Sequence, residues 1–202
     1  MAKQSWKPGN MLYPVPAVMV SCGREEEKAN IITVAWAGTI CSTPAMVSIS
    51  IRPTRYSYQI IKETGEFVIN LVTKELTFAA DYCGVKSGRE IDKFKEAHLT
   101  PSESRVVKTP GIEESPVNIE CKVVEIRSLG THDMFIAEVV GVNIDDKYVD
   151  ETNKFDLNST GLVAYSHGEY FELGKRIGKF GYSVQKKKKK SVPKKHRNRF
   201  KS

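Results

Sequence analysis

Apolar residues alternate with polar or small ones along several short stretches of this chain, and each such stretch predicts a half-buried strand. Residues 17–22 (AVMVSC) and 30–36 (NIITVAW) read as two strands joined by a charged turn over residues 23–29. An antiparallel pair needs only such a short connection. From Asn30 to Leu71 the pattern continues as strand, turn, strand, short helix and strand, with the second strand at residues 45–51 (AMVSISI). The helix opens near residues 54–57, places Tyr56, Ile60 and Ile61 on one side and stops at Gly65, a natural left-handed terminator. A second helix is expected over residues 74–83, with Leu76, Ala79 and Ala80 inward and Gly84 closing it, and a helical turn over residues 91–97. Residues 117–128 alternate again, with Val117, Ile119, Cys121, Val123 and Ile126 on an inner face. Residues 134–144 are the partner strand across a turn at Gly130-Thr131-His132-Asp133. The proline-rich stretch 98–116 reads as a surface connection and 145–159 as a polar loop. Many short strands and a few short helices predict an antiparallel barrel with helical insertions.

One corner of this pattern carries chemistry. Arg52-Pro53-Thr54-Arg55-Tyr56-Ser57 falls where a strand ends and a helix begins, and the free N–H groups and dipole of a helix start suit an anion such as phosphate. Arg55 and Arg52 would add charged hydrogen bonds, and Thr54 and Ser57 hydroxyl donors. The same residues also describe a plain threonine cap flanked by two solvated arginines. Just upstream, Thr33-Val34-Ala35-Trp36-Ala37-Gly38-Thr39 runs from a strand into small residues, where a flat ligand can lie against backbone. Trp36 serves equally as a core residue there.

Length and composition narrow the class. Two hundred and two residues at 40% apolar suit one globular domain. No stretch approaches a membrane span and the first ten residues lack the apolar core of a signal peptide, so a cytoplasmic location is expected. Cys22, Cys41, Cys83 and Cys121 are widely spread without metal-ligand spacing, which predicts buried thiols, with Cys83 placed for exposure at a helix end. The net charge of +7 is unevenly held. Ten basic and no acidic residues follow Gln185, leaving 21 of the 31 basic residues against 24 acidic ones in the body. The tail, residues 186–202, is expected to be disordered and able to hold nucleic acid through salt-sensitive contacts. No GxGxxG follows a strand, and no P-loop, metal cluster or Ser-His-Asp order is present. Any redox chemistry must come from a bound cofactor.

The co-linear order Asn30-x-x-Thr33-x-x-Trp36, Ser42-x-Pro44, Ile51-Arg52-Pro53-x-Arg55-Tyr56-Ser57, Gly65-Glu66-Phe67-Val68-x-Asn70-Leu71, Ser87-Gly88 with Asp92-Lys93-Phe94, and Gly130-Thr131-His132-Asp133-Met134-Phe135-Ile136 resembles the flavin reductase-like, FMN-binding split-barrel family, and within it the flavoredoxin branch. The resemblance implies one split-barrel domain over residues 1–185, a homodimer and one FMN per subunit. It places the phosphate on Arg55, Tyr56 and Ser57, the ring along Thr33, Ala35, Trp36, Ala37, Gly38 and Thr39, and Ser87, Lys93 and Phe94 beside the flavin. Lys93 and Phe94 read otherwise as a salt-bridged lysine and a core phenylalanine. His132 would lie near the flavin as the catalytic candidate, or else be an ordinary turn histidine. Thr131 stands where NAD(P)H reductases of the family usually carry an acidic residue. Tyr165, His167 and Tyr170 belong to a segment that completes the barrel or the dimer, at the flavin edge or in packing.

The implied function is an FMN-binding redox protein, either a flavoredoxin-like electron carrier or an NAD(P)H-dependent flavin or ferric reductase. Electrons would arrive from NAD(P)H or a reduced redox protein. From a different class, a non-catalytic split-barrel binding module would use its basic tail on nucleic acid.

Overall fold

A computed structural model describes residues 1–24 and 29–185. After a short β1 (Val15–Pro16), strands β2 (Val18–Cys22) and β3 (Asn30–Val34) form the expected hairpin, paired from Val18↔Val34 to Cys22↔Asn30. Then come β4 (Ala37–Ser42), β5 (Ala45–Ile51), α1 (Tyr56–Thr64) and β6 (Glu66–Leu71). Helices α2 (Thr77–Val85) and α3 (Lys93–Glu96) lead to a small hairpin, β7 (Pro101–Ser102) with β8 (Gly111–Ile112). The long strands β9 (Val117–Ser128) and β10 (Asp133–Ile144) follow, and β11 (Val163–Ser166) and β12 (Glu169–Glu172) join β1 in a three-stranded sheet.

Seven antiparallel strands form the main sheet in the order β3-β2-β6-β9-β10-β5-β4. Its two edge strands, β3 and β4, are separated in the chain only by Ala35 and Trp36, so the sheet must curl until its edges meet. The result is a curled half-barrel of the split-barrel type. Ser50 N donates to Trp36 O at 2.9 Å and stitches the bend onto β5. Val34 and Ile32 from one edge share a buried cluster with Val47, Ile49 and Ile51 near the other, and with Phe67, Phe135, Tyr58 and Ile61. Strands from both ends of a sheet can share a core only inside the curl. A second cluster, Met19, Ile31, Leu76, Ala79, Ala80, Cys83, Phe94 and Ile112 among others, fills the space between the outer face of β2 and β3 and the helices. Both faces of β2 are therefore covered, and all five of its residues are buried.

Several expectations need correction. The buried face of α1 is Ser57, Tyr58 and Ile61, so Tyr56 is turned away from the core and Ile60 is only partly buried against it. Gly84 does not stop α2, which runs on to Val85 and is closed by the extended Lys86. The glycine is there for packing, since a Cβ at Gly84 would lie 3.2 Å from Thr33 Cβ on the strand below. Cys83 is accordingly buried rather than exposed, and Cys41 is the half-exposed thiol. The stretch 98–116 is no mere surface connection. Leu99, Val107 and Ile112 are buried, and the fully buried Glu120 carboxylate accepts the backbone N–H groups of Arg105, Val106 and Val107 at 2.9, 2.7 and 3.0 Å and Asn143 Nδ2 at 2.8 Å. The skip from Val123 to Ile126 on the inner face of β9 is a bulge: Glu125 faces Ile136 while Val123 faces Ala137, leaving Val124 unpaired. The expectations for the charged turn, in residues 25–28, and for the basic tail lie outside the described residues. Among the described residues no helix is long and apolar enough to cross a membrane.

Candidate functional site

The start of α1 is built as the sequence suggests, but without a threonine cap. Arg55 occupies the cap position in an extended conformation, and no side chain accepts the first N–H groups of the helix. A cleft of about 300 Å³ opens there, lined by Arg52, Thr54, Arg55, Tyr56 and Ser57, by Asn30 and Ile32 of β3, and by Cys83, Gly84, Lys86, Ser87, Gly88, Arg89 and Lys93. Five basic side chains face it and no acidic one does. None of Arg52, Arg55, Lys86 and Arg89 is ion-paired among the described residues. Arg89 lies over the Tyr56 ring at 5.5 Å and donates to Thr54 O at 3.4 Å.

The floor of the cleft is held by buried polar groups. Asn30 Nδ2 donates to Ser57 Oγ at 2.7 Å, tying β3 to the first turn of α1. Gly88 rests directly on this pair: a Cβ there would overlap Asn30 Oδ1 and approach Tyr56 Cδ1 to 2.9 Å. Lys93, buried at 4% exposure, makes no salt bridge among the described residues. Its Nζ donates to Ile31 O at 2.7 Å and Cys83 O at 2.6 Å, the latter in the last turn of α2, where the helix dipole favours a cation. Burial pushes its ammonium below the usual lysine range, with nearby Arg55 adding to the effect. Burial likewise drives the Cys83 thiol up to about 11, so it is not a thiolate at neutral pH.

A second, smaller cleft of about 170 Å³ continues from Ile32, Arg52 and Arg55 along Thr33, Val34, Ala35 and Trp36 to Ser50, Ile51 and His132. Trp36 is 41% exposed and therefore not a core residue. Its ring meets that of His132 at 4.6 Å and 42°. Burial, and then the charges of Arg52 and Arg55, hold the His132 imidazole below its ordinary value, so the neutral ring prevails at neutral pH. Its Nδ1 lies 3.0 Å from Thr131 Oγ1.

Most residues singled out from sequence converge here. Thr33, Ala35, Trp36, Arg55, Tyr56, Ser57, Ser87, Lys93 and His132 line one cleft or the other. Ala37 and Gly38 lie beyond the bend, on an adjoining cavity of about 600 Å³ that shares Ala35, Trp36 and Ser50 with the second cleft and runs against residues 9–13 and 15. Thr39 is exposed on β4 and lines none of the three. Phe94 faces away, into the cluster beneath α2, while its neighbour Lys93 lines the cleft. Tyr165, His167 and Tyr170 are grouped elsewhere, with the Tyr13 ring tilted against Tyr165 and His167 and with Tyr170 Oη donating to Asp81 at 3.3 Å. Sequence reasoning missed Asn30, Gly88, Lys86 and Arg89 as site residues. The Ser87-Gly88 turn was the available signal, since a glycine with no side chain also allows close approach of neighbouring groups.

The model of the flavin reductase-like domain matches residues 10–174 of this chain. The chain belongs to the flavin reductase-like family. An uncharacterized protein of Archaeoglobus fulgidus is 34% identical over 160 residues, which cover 79% of this chain and 88% of that one. Among solved structures, the flavoredoxin of Desulfovibrio vulgaris is similar with a TM-score of 0.83 and 30% identity, covering 91% of this chain and all of that one. An FMN-binding protein from Thermus thermophilus, solved with bound 1-cyclohex-2-enone, has the same fold at 22% identity, with a TM-score of 0.72 over 89% of this chain and 98% of that one. Membership of the family, with these flavoredoxin-like neighbours, supports a flavin-binding redox function.

The residues present fit a flavin phosphate. The donor set is cationic and acid-free, the helix start is uncapped, and the glycine at 88 lets the rim segment pack directly on Asn30 and Tyr56 at the cleft floor. Among the described residues no group of His, Cys, Asp and Glu is placed to hold a metal ion.

Proposed function

We propose that this chain is an FMN-binding redox protein, with the FMN phosphate at the start of α1 and the flavin ring along residues 33–36. The observation that carries this reading is the continuity of the two clefts: an acid-free cationic end runs directly into a strip floored by backbone and closed by Trp36 and His132. The first end has the chemistry of a phosphate site and the second has the shape of a ring site. The FMN-binding neighbour and the flavoredoxin neighbour support the choice of flavin.

Once bound, FMN supplies the electron-transfer chemistry that no side chain here offers. The protein's part is binding, orientation and electrostatics. Arg55, with Arg52 beside it, neutralises the phosphate, and Ser57, kept in place by Asn30, presents its hydroxyl to the same group. Lys93 holds β3 and the end of α2 together under the cleft. The positive potential of Arg52 and Arg55 favours a ligand that gains negative charge. Neutral His132 offers a ring nitrogen at the mouth without adding a charge of its own. In this reading the protein is a homodimer with one FMN per subunit. It works as an electron carrier of the flavoredoxin kind, or as a flavin or ferric reductase drawing on NAD(P)H.

The test is a fluorescence titration of flavin-free protein with FMN and with riboflavin. FMN is expected to bind at least tenfold more tightly, about 1.4 kcal/mol, because only it carries the phosphate. Equal affinities would contradict the phosphate site, and no binding of either would contradict the whole reading.

A further inference from the structure

One buried polar cluster lies just behind the site and lines neither cleft. Asp133, the first residue of β10, is 7% exposed. Its Oδ2 accepts Tyr58 Oη at 2.6 Å and its Oδ1 accepts Ser128 Oγ at 2.7 Å. Tyr58 is itself 8% exposed and packs edge-on against Phe135 at 5.3 Å in the core. Lys62 Nζ lies 5.9 Å above its ring and adds a favourable charge to Asp133.

A phenol and a carboxylate in such a place need a reason. Apolar side chains of the same volume would pack there at lower cost, since a buried charge-bearing pair gains little over a hydrophobic one. What the pair does is geometric. Tyr58 follows Ser57 in the first turn of α1, at the phosphate end of the site. Asp133 follows His132, whose turn is closed by Leu129 N donating to His132 O at 3.1 Å. Beside the pairing of Asp133 with Ile51 at the end of β5, this side-chain hydrogen bond joins the helix that presents Arg55 and Ser57 to the turn that presents His132. Across the gap between these elements the clefts run, and Arg52 and Arg55 both act on the imidazole.

We propose that the Tyr58–Asp133 hydrogen bond is a brace that sets His132 against Trp36 and fixes its distance from the phosphate end of the cleft. Tyr58 and Asp133 are positioning residues, acting through His132 and α1 without touching the ligand. The proposal rests on the reading that His132 and Arg55 belong to one flavin site, but the brace itself is visible without flavin.

The experiment therefore has two arms. In flavin-free protein carrying Trp6→Phe, which leaves Trp36 as the one tryptophan, the His132 imidazole is titrated by NMR and Trp36 emission is recorded with Tyr58 and Asp133 intact, with Tyr58→Phe and with Asp133→Asn. Tyr58→Phe keeps the ring and removes only the hydroxyl; it is expected to let the turn relax, moving the His132 titration up toward 6.5 and altering Trp36 emission. Asp133→Asn retains an acceptor for Tyr58 and a donor for Ser128, and is expected to stay close to wild type. In the second arm, FMN affinity should fall roughly tenfold in Tyr58→Phe, the scale of one lost charge-assisted hydrogen bond. A merely structural role would lower the melting temperature without moving His132; that result would overturn the brace. If wild type binds no flavin while Tyr58→Phe still shifts His132, the flavin reading fails and the brace stands. If wild type binds FMN and His132 does not respond, only the brace fails.

Discussion

Gly88→Ala probes the site with one added methyl group. Gly88 does not use the left-handed region that favours glycine, so its backbone tolerates alanine and the effect must come from contact. The new Cβ would overlap Asn30 Oδ1 and lie 2.9 Å from Tyr56 Cδ1. Asn30 has no easy retreat: it is 3% exposed, its backbone pairs with Cys22, and its amide is committed to Ser57 at 2.7 Å. Either that hydrogen bond breaks, at about 0.5–1.5 kcal/mol, or the segment around Gly88 moves outward, at an overpacking cost of about 1–3 kcal/mol. Both outcomes disturb Ser57 and the Lys86–Arg89 rim, so FMN affinity should fall by about tenfold or more. Fluorescence titration gives the affinity and urea unfolding the stability. Gly174→Ala is the control, because it lies outside the clefts and nothing lies within 4 Å of its added Cβ. Adding Asn30→Ala to Gly88→Ala should remove the overlap and leave the two changes strongly non-additive. If Gly88→Ala binds FMN as tightly as wild type, the packing argument for this cleft is wrong.

Two further changes separate binding from folding. Arg55→Ala is expected to weaken FMN by about 1.5–3 kcal/mol while leaving riboflavin almost unaffected, the value of one charged hydrogen bond to phosphate; an equal loss for both ligands would place Arg55 elsewhere. Glu120→Ala strands three backbone N–H groups and Asn143 in the interior, and is expected to cost about 3–5 kcal/mol in urea unfolding with no specific effect on FMN. Burial alone would raise the Glu120 carboxyl, but the hydrogen bonds from Arg105, Val107, Val106 and Asn143 outweigh it and hold the group below its ordinary value of 4.5. Its folded value being the lower, its share of stability is full above about pH 4.5 and fades as pH falls through the folded value. Glu120→Gln should flatten that acid limb of the stability curve, and an unchanged limb would refute the assignment.

Strand pairing was legible because one buried face imposes a period of two. β2 with β3, β5, and β9 with β10 all follow from alternation, and Gly65 ends α1 in the left-handed conformation expected of it. β4 was not legible: Gly38, Thr39 and Ile40 are exposed in succession at the sheet edge, so no period appears. The face of α1 was misread because Tyr56 and Tyr58 are equivalent in sequence, and only contacts distant in the chain, Phe135 and Asp133 on β10, make Tyr58 the inward one. Gly84 looked like a stop because its close neighbour, Thr33, is far away in the chain. The same limit explains the site. The Arg55 corner and the Thr33–Trp36 strip are local and could be read, whereas Lys86, Gly88 and Arg89 join them only through folding. Phe94 shares a motif with Lys93, but adjacent residues on a helix point in different directions. Lys93 therefore reached the cleft and Phe94 the core.

The central claim is that the joined clefts hold FMN, and the visible absorbance spectrum of the purified protein tests it most directly, recorded after incubation with FMN, desalting, and then anaerobic addition of NADH and NADPH. The account predicts flavin bands that stay with the protein through desalting. Bleaching by a nicotinamide would identify a reductase, and bleaching only by dithionite a carrier reduced by another protein. A protein that emerges colourless after incubation with FMN would contradict the account.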